Sequence, residues 1–194
     1  MSIRFDGRVA IVTGAGNGLG RSHALGLAAR GARVVVNDLG AALDGTGRGA
    51  SAAEKVVAEI AAAGGTAMAH GANVTNADEV ADMVARARAA WGRVDILVNN
   101  AGILRDKSFG KLDLADFRAV LDVHLMGTVT CTKAVWDGME PFKKDFVRDM
   151  VDADVEHLRD VDVMQRRGEP SDMAGIAIYL ASKASGYVCG SVIP

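Results

Sequence analysis

Residues 8–13 (RVAIVT) are a short apolar run rich in β-branched side chains between Gly7 and Gly14, which predicts a buried strand. Residues 18–30 follow with Leu19, Leu25, Leu27 and Ala28 at helical spacing and stop at Gly31. The same alternation then repeats. Residues 32–37 (ARVVVN) and 66–70 predict the second and third strands, and 50–63 an Ala-rich helix closed by Gly64 and Gly65. The stretch 39–49, with Gly40, Gly45, Gly47 and Gly49, predicts a loop. Residues 76–91 predict a helix capped by Asn76, with Glu79 at the capping-box offset and Gly92 past its end. Residues 94–98 (VDILV) predict the fourth strand, and 113–138 one long helix from Asp113 to Gly138. Strands alternating with helices across short turns predict an α/β fold, a doubly wound, Rossmann-like parallel sheet with helices on both faces.

Beyond Gly138 the pattern changes. Residues 141–163 are charged and amphipathic, and their acidic run (Asp145, Asp149, Asp152, Asp154, Glu156, Asp160 and Asp162) is most simply a solvated helix face. Pro170 opens another helix to about Ser182, and residues 187–193 (YVCGSVI) predict a last strand. The expected organisation is a single domain over 1–194, with 1–139 as one half and 140–194 as a lid segment plus the last helix and strand.

Composition narrows the function classes. With 22 Lys+Arg against 24 Asp+Glu in 194 residues, the chain lacks a basic footprint for nucleic acid. No apolar stretch approaches the length of a membrane span, and the start MSIRFDGRVA is too polar for a signal peptide. The expectation is a cytoplasmic protein with neither nucleic acid nor membrane as partner. His23, His70, His124 and His157 show no ligand spacing with Cys131 or Cys189, so no metal site is expected. Cys131 reads as a small buried hydrophobe.

The chemistry concentrates in TGAGNGLG at 13–20, between the first strand and the first helix. Gly14 permits the tight turn out of the strand, Gly18 lets a pyrophosphate approach the helix start, and Gly20 lets helix and sheet pack closely. Anionic ligand would then meet free N–H groups at the positive helix end. A turn that merely needs flexibility is the competing reading. Asp38 closes the second strand, where a carboxylate accepts hydrogen bonds from both ribose hydroxyls of an adenosine and repels a 2′-phosphate, favouring NAD over NADP. Alternatively, Asp38 starts a turn before Gly40.

TGAGNGLG, Asp38, VDILV and NNAG at 99–102 together resemble the short-chain dehydrogenase/reductase family in spacing and order, over residues 5–139 and again over 165–194. NDLG at 37–40, GILRDKSF at 102–109 and DVHLMG at 122–127 look most like the hydroxyacyl-CoA dehydrogenase domain of multifunctional enzymes, with 3-oxoacyl-carrier-protein reductases next. The resemblance implies that Gly14, Asn17, Gly18, Leu19 and Gly20 line the pyrophosphate side and Asp38 the ribose. It places Asn73 and Val74 at the adenine, and Asn100, Ala101 and Gly102 near the nicotinamide half. His124 stands where the family has a catalytic Asn, so a proton relay through it is implied; a satisfied core or interface histidine is the alternative.

The family's chemistry also needs a Ser after strand five and a Tyr-x-x-x-Lys on the next helix. That segment is missing between Met139 and Pro141, so the sheet lacks strands five and six as the sequence stands. Tyr179 and Lys183 have the right spacing but lie in the stretch resembling the last helix, where they read as packing and a surface cation. The implied function is hydride transfer between NAD and a secondary alcohol or ketone, with a small-molecule substrate such as a 3-hydroxyacyl thioester. A homo-oligomer, dimer or tetramer, is expected if the missing segment belongs to the molecule. The alternative is a catalytically inactive NAD-binding or assembly module.

Overall fold

The computed structural model describes residues 4–42, 44–47 and 51–138. The expected lid, last helix and last strand, together with Tyr179 and Lys183, lie outside the described residues. Four strands, β1 (Val9–Thr13), β2 (Arg33–Asn37), β3 (Thr66–His70) and β4 (Ile96–Val98), form one sheet in the order β3-β2-β1-β4. All three pairings are parallel, with Ile11 opposite Val35 and Leu97, and Val35 opposite Met68. Helices α1 (Gly18–Ala28), α2 (Ser51–Ala62) and α3 (Ala77–Trp91) make the crossovers.

The order explains the layering. The chain steps outward from β1 to β2 to β3, then returns past β1 to form β4. Right-handed crossovers taken in opposite directions put their helices on opposite faces. Accordingly Ala10, Val12, Val34 and Val36 pack in one core with Ala24 and Ala28 of α1 and Val56 and Ile60 of α2. Their alternates Val9, Ile11 and Val35 are also fully buried and point to the other face, as a strand's period of two requires. A strand buried on both faces reads as an unbroken apolar run, which is why RVAIVT and RVVVN carry so few polar positions.

Local signals in the sequence are realised in α3. The Asn76 side chain accepts hydrogen bonds from the N–H groups of Asp78 (3.0 Å) and Glu79 (3.2 Å), and Gly92 ends the helix at φ 80°. The fourth strand is shorter than expected. Asp95 donates its N–H to the Val9 carbonyl and accepts the Val9 N–H on its carboxylate, both at 2.8 Å, so a side chain replaces ladder pairing at that end.

The expected single helix over 113–138 is a correction. It is α4 (Leu114–Leu121), one π turn over Asp122–Met126, and α5 (Gly127–Trp136). A π turn holds one residue more than an α turn. Apolar periodicity cannot register that single extra residue, because both flanking helices keep their own spacing. Gly127 directly follows the π turn and lies so close to Val74 that an added Cβ would sit 2.7 Å from Val74 Cγ2.

Cys131 of α5 is 1% exposed, and burial pushes its thiol from an ordinary 9.0 up to about 11. In the unfolded chain the thiol ionises first, so this contribution is complete below about pH 9 and is lost as pH rises toward 11. Two pK units correspond to an upper bound of about 3 kcal/mol. Cys131→Ala removes the dependence. The stability gap between wild type and variant, read from urea midpoints, should narrow between about pH 8 and pH 10.5. A gap that is constant over that range would contradict the assignment.

Candidate functional site

The carboxyl ends of β1, β2 and β4 open into one cleft of about 820 Å³, lined by Gly14, Asn17–Gly20, Asn37, Asp38, Ala72–Val74 and Asn100–Ile103, with Arg105, Asp122 and Val123 further along. It lies where strand order reverses between β1 and β4, the crevice in which open α/β sheets take ligands. The size falls within the range of small-molecule sites.

The glycine turn builds the near wall. Gly14 leaves β1 at φ 62°, a left-handed conformation, with Ala101 Cα 2.9 Å from where a Cβ would stand. An added Cβ at Gly20 would collide with the Gly14 carbonyl oxygen and with Asn100 Nδ2. Gly18, at φ 54°, faces open space, and nothing would touch a Cβ there within 4 Å. Asn17 begins α1 in extended conformation without a side-chain capping bond, and no acidic residue stands in the first turn. The helix therefore starts with N–H groups that the Asn17 side chain does not cap and with no acidic residue of its own in the first turn.

Asp38 is tied to this turn. Its Oδ2 accepts the Gly16 N–H and its Oδ1 the Gly40 N–H, both at 2.7 Å. The two readings of Asp38 thus coexist in one geometry: it closes the turn at Gly40 and faces the cleft. Each oxygen keeps acceptor capacity after one bond, because an ionised carboxylate has about four lone-pair sites.

Polar groups at the strand ends hold the far wall. The Thr13 hydroxyl accepts the N–H groups of Asn100 and Ala101, each at 3.0 Å, and donates to the Val98 carbonyl at 3.3 Å. Asn100 Nδ2 donates to the carbonyls of Thr13 and Gly14, both at 3.0 Å. Buried Asn37 spans the backbone of Ala72, accepting its N–H at 2.9 Å and donating to its carbonyl at 3.2 Å. Glu79 Oε2 takes the Asn73 N–H at 2.8 Å, while Asn73 Oδ1 is occupied by the N–H and hydroxyl of Thr75. Asn73 and Val74 consequently present a fixed backbone edge to the cleft.

His124 sits in the π turn and is exposed, which excludes the core reading for it. Its Nε2 is 3.0 Å from both the N–H and the carbonyl oxygen of Ile103. Its ring also covers Gly102, where a Cβ would lie 2.7 Å from Cε1. The extra residue of the π turn brings the imidazole onto the 102–103 backbone. Thr13, Asn37, Asn99 and Arg105 are functional neighbours to which the sequence reading gives no role of their own, although each lies within a motif it quotes. Asn99 Nδ2 donates to the Thr132 hydroxyl at 3.2 Å and so ties α5 to the end of β4. A polar residue closing an apolar strand is the signal at Thr13, Asn37 and Asn99, whereas Arg105 stands outside any strand and carries no such signal.

Among the described residues no three His, Cys, Asp or Glu side chains are grouped to hold a metal ion, and no helix is long and apolar enough to cross a membrane.

Comparison with known proteins agrees with this geometry. A family model described as short chain dehydrogenase matches residues 8–148. The mouse peroxisomal multifunctional enzyme type 2 is 51% identical over 138 residues, covering 71% of this chain and 18% of the mouse protein. A short chain dehydrogenase from Mycobacterium avium superposes with a TM-score of 0.64 at 49% identity, over 72% of this chain and 48% of that one. One from Mycobacterium paratuberculosis, solved bound to NAD, gives 0.65 at 30% identity over 69% and 51%. The chain thus spans about half or less of the length of each of these relatives. With the family model matched across strands, glycine turn and cleft alike, this chain belongs to the short-chain dehydrogenase family.

Proposed function

We propose that the chain is the cofactor-binding part of an NAD-dependent oxidoreductase that transfers a hydride between nicotinamide and a secondary alcohol or ketone, with a 3-hydroxyacyl thioester as the substrate class. The observation that carries this reading is the glycine turn and the Asp38 carboxylate bonded to it, both lining one open cleft. Gly18 leaves backbone space, α1 begins uncapped, and a carboxylate stands at the end of β2. Those three features fit a dinucleotide: a pyrophosphate at the helix start and a ribose at Asp38. The NAD-bound relative supports the cofactor, and a Synechocystis 3-oxoacyl-[acyl-carrier-protein] reductase, 48% identical over 128 residues, supports the substrate class.

When bound, NAD supplies the hydride acceptor. The chain's own residues bind and orient it. Asp38 accepts from the ribose hydroxyls, and its charge excludes a 2′-phosphate. Asn73 and Val74 border the adenine, and Asn100, Ala101 and Gly102 the nicotinamide half. His124, with Nε2 held on the backbone of cleft-lining Ile103, is the candidate for moving a proton. The chain's two tyrosines, Tyr179 and Tyr187, lie outside the described residues, so the Tyr-x-x-x-Lys of the family's chemistry is not among residues 4–138. The reading as an inactive binding module gains no support from the relatives, which are named as dehydrogenases and multifunctional enzymes. The exposed Phe117, Leu121, Leu125 and Trp136 on α4, the π turn and α5 support a homo-oligomer.

Calorimetric titration tests the cofactor. NAD should bind and NADP bind more weakly. Asp38→Ala should weaken NAD by about 1–3 kcal/mol through lost charged hydrogen bonds and narrow the preference over NADP. Equal affinity of the wild type for both dinucleotides would refute the ribose assignment.

A further inference from the structure

Arg105 plays no part in the reading above, yet three separated stretches of chain meet on it. Its Nε donates to the carbonyl oxygen of Asp44 at 2.9 Å. Its Nη1 donates to Asp116 Oδ1 at 2.5 Å, on α4. Lys107 Nζ holds the other Asp116 oxygen at 2.9 Å. These two cations hold the Asp116 carboxyl below the usual range, Lys107 first and Arg105 second. Asp116 is therefore an anchored acceptor, and the guanidinium, less than one-third exposed, is fixed on it.

The other end of this bridge is a turn with its own internal bonds. The Ala42 N–H donates to the Thr46 carbonyl at 2.8 Å and the Gly45 N–H to the Ala42 carbonyl at 2.9 Å. The Asp44 carboxylate accepts from the N–H (2.9 Å) and hydroxyl (2.7 Å) of Thr46. Gly45 then lies on Ile103, whose Cγ2 would be 3.0 Å from a Cβ at that position. Ala42 and Gly45 line the cleft from the Asp38 side, and Ile103 and Arg105 from the β4 side. The Arg105–Asp44 bond joins the two sides.

The geometry points to Arg105 as a positioning residue that straps residues 44–46 across the cleft and so slows the release of a bound dinucleotide. This rests on the cofactor reading above. The fork of the guanidinium is essential to it: Nε and Nη1 serve two partners on different segments at once, which the single ammonium of lysine does not reproduce. A role as a simple cation attracting pyrophosphate would be kept by lysine.

Two measurements on the full chain separate these cases. In the free protein, Arg105→Ala and Arg105→Lys should both speed amide hydrogen exchange of the peptide carrying residues 44–46, while α3 exchanges as in the wild type. In stopped-flow displacement of NADH, both variants should release it about five- to tenfold faster, with association nearly unchanged, since affinity changes within one site fall mostly on dissociation. Wild-type exchange and release in Arg105→Lys would overturn the strap and leave Arg105 a point charge. Faster exchange with unchanged NADH release would overturn the link to the cofactor. A wild type that binds no NADH would overturn the cofactor reading and the strap's effect together, with hydrogen exchange still reporting whether Arg105 holds the turn.

Discussion

Gly20→Ala is expected to cost about 3 kcal/mol, the upper end for overpacking a close contact, and to remove measurable NAD binding. A Cβ at that position meets the carbonyl oxygen of Gly14 and the Nδ2 of Asn100. The carbonyl belongs to the backbone of the glycine turn and cannot rotate away. Asn100 is no freer, because its Nδ2 already donates to the carbonyls of Thr13 and Gly14. Relief therefore requires α1 to lift off the sheet or the turn to open. Either movement displaces the start of α1 from the position at which a pyrophosphate would meet it. For a chain of this size the expected fall in Tm is about 6–12 °C. Gly26→Ala is the control in the same helix. Its Cβ would meet only Arg30 Nη1 at 3.7 Å, an ordinary contact, and alanine is the better helix former by about 1 kcal/mol. That variant should be at least as stable as the wild type and bind NAD normally. If Gly20→Ala also melts and binds like the wild type, the close packing of helix on turn is wrong.

The contrast between these two glycines shows what the sequence made legible. Strands, helices, caps and the order of the glycine turn follow from local pattern, because each is a short-range consequence of residue type. Asn76 and Gly92 bound α3 as their capping chemistry requires. The sequence places Gly14, Gly18, Gly20 and Asp38 at the ends of the first two strand runs, and parallel pairing of β1 with β2 suffices to bring them together. What local pattern does not carry is the long-range polar bookkeeping. Thr13 looks like one more β-branched strand residue until β4 is placed beside it. Asn37 looks like a strand end until Ala72 arrives after the third strand. The π turn is invisible because its one added residue leaves the apolar spacing on both sides intact. Arg105 sits in a segment without regular pattern, and its partners Asp44 and Asp116 are distant in sequence. His124 is ambiguous in the sequence for a related reason. Its surroundings depend on the π turn, which places it on the Ile103 backbone and in solvent rather than in the core.

Thr13→Val is the test of that polar bookkeeping, and it is expected to cost about 2–6 kcal/mol. The exchange keeps shape and β-branching, so strand propensity and core packing barely change. What disappears is one hydroxyl oxygen that accepts two backbone N–H groups, those of Asn100 and Ala101, and donates to the Val98 carbonyl. Thr13 is 1% exposed, so water does not readily replace it. Two part-buried donors are left unpaired, and each such loss costs about 1–3 kcal/mol. The consequence reaches the site because those two N–H groups belong to the wall that Asn100, Ala101 and Gly102 present to the cleft. Released from the Thr13 hydroxyl, the 100–102 backbone keeps the Asn100 side-chain bonds to the Thr13 and Gly14 carbonyls but loses both of its N–H ties to β1, and NAD affinity should fall together with stability. Thr13→Ser restores the oxygen and removes only a methyl group. It should recover most of both losses, which separates the hydroxyl from packing. Should serine and valine prove equally damaging in urea unfolding and in NAD titration, the methyl group rather than the hydrogen bonds would be what holds β1 to the end of β4.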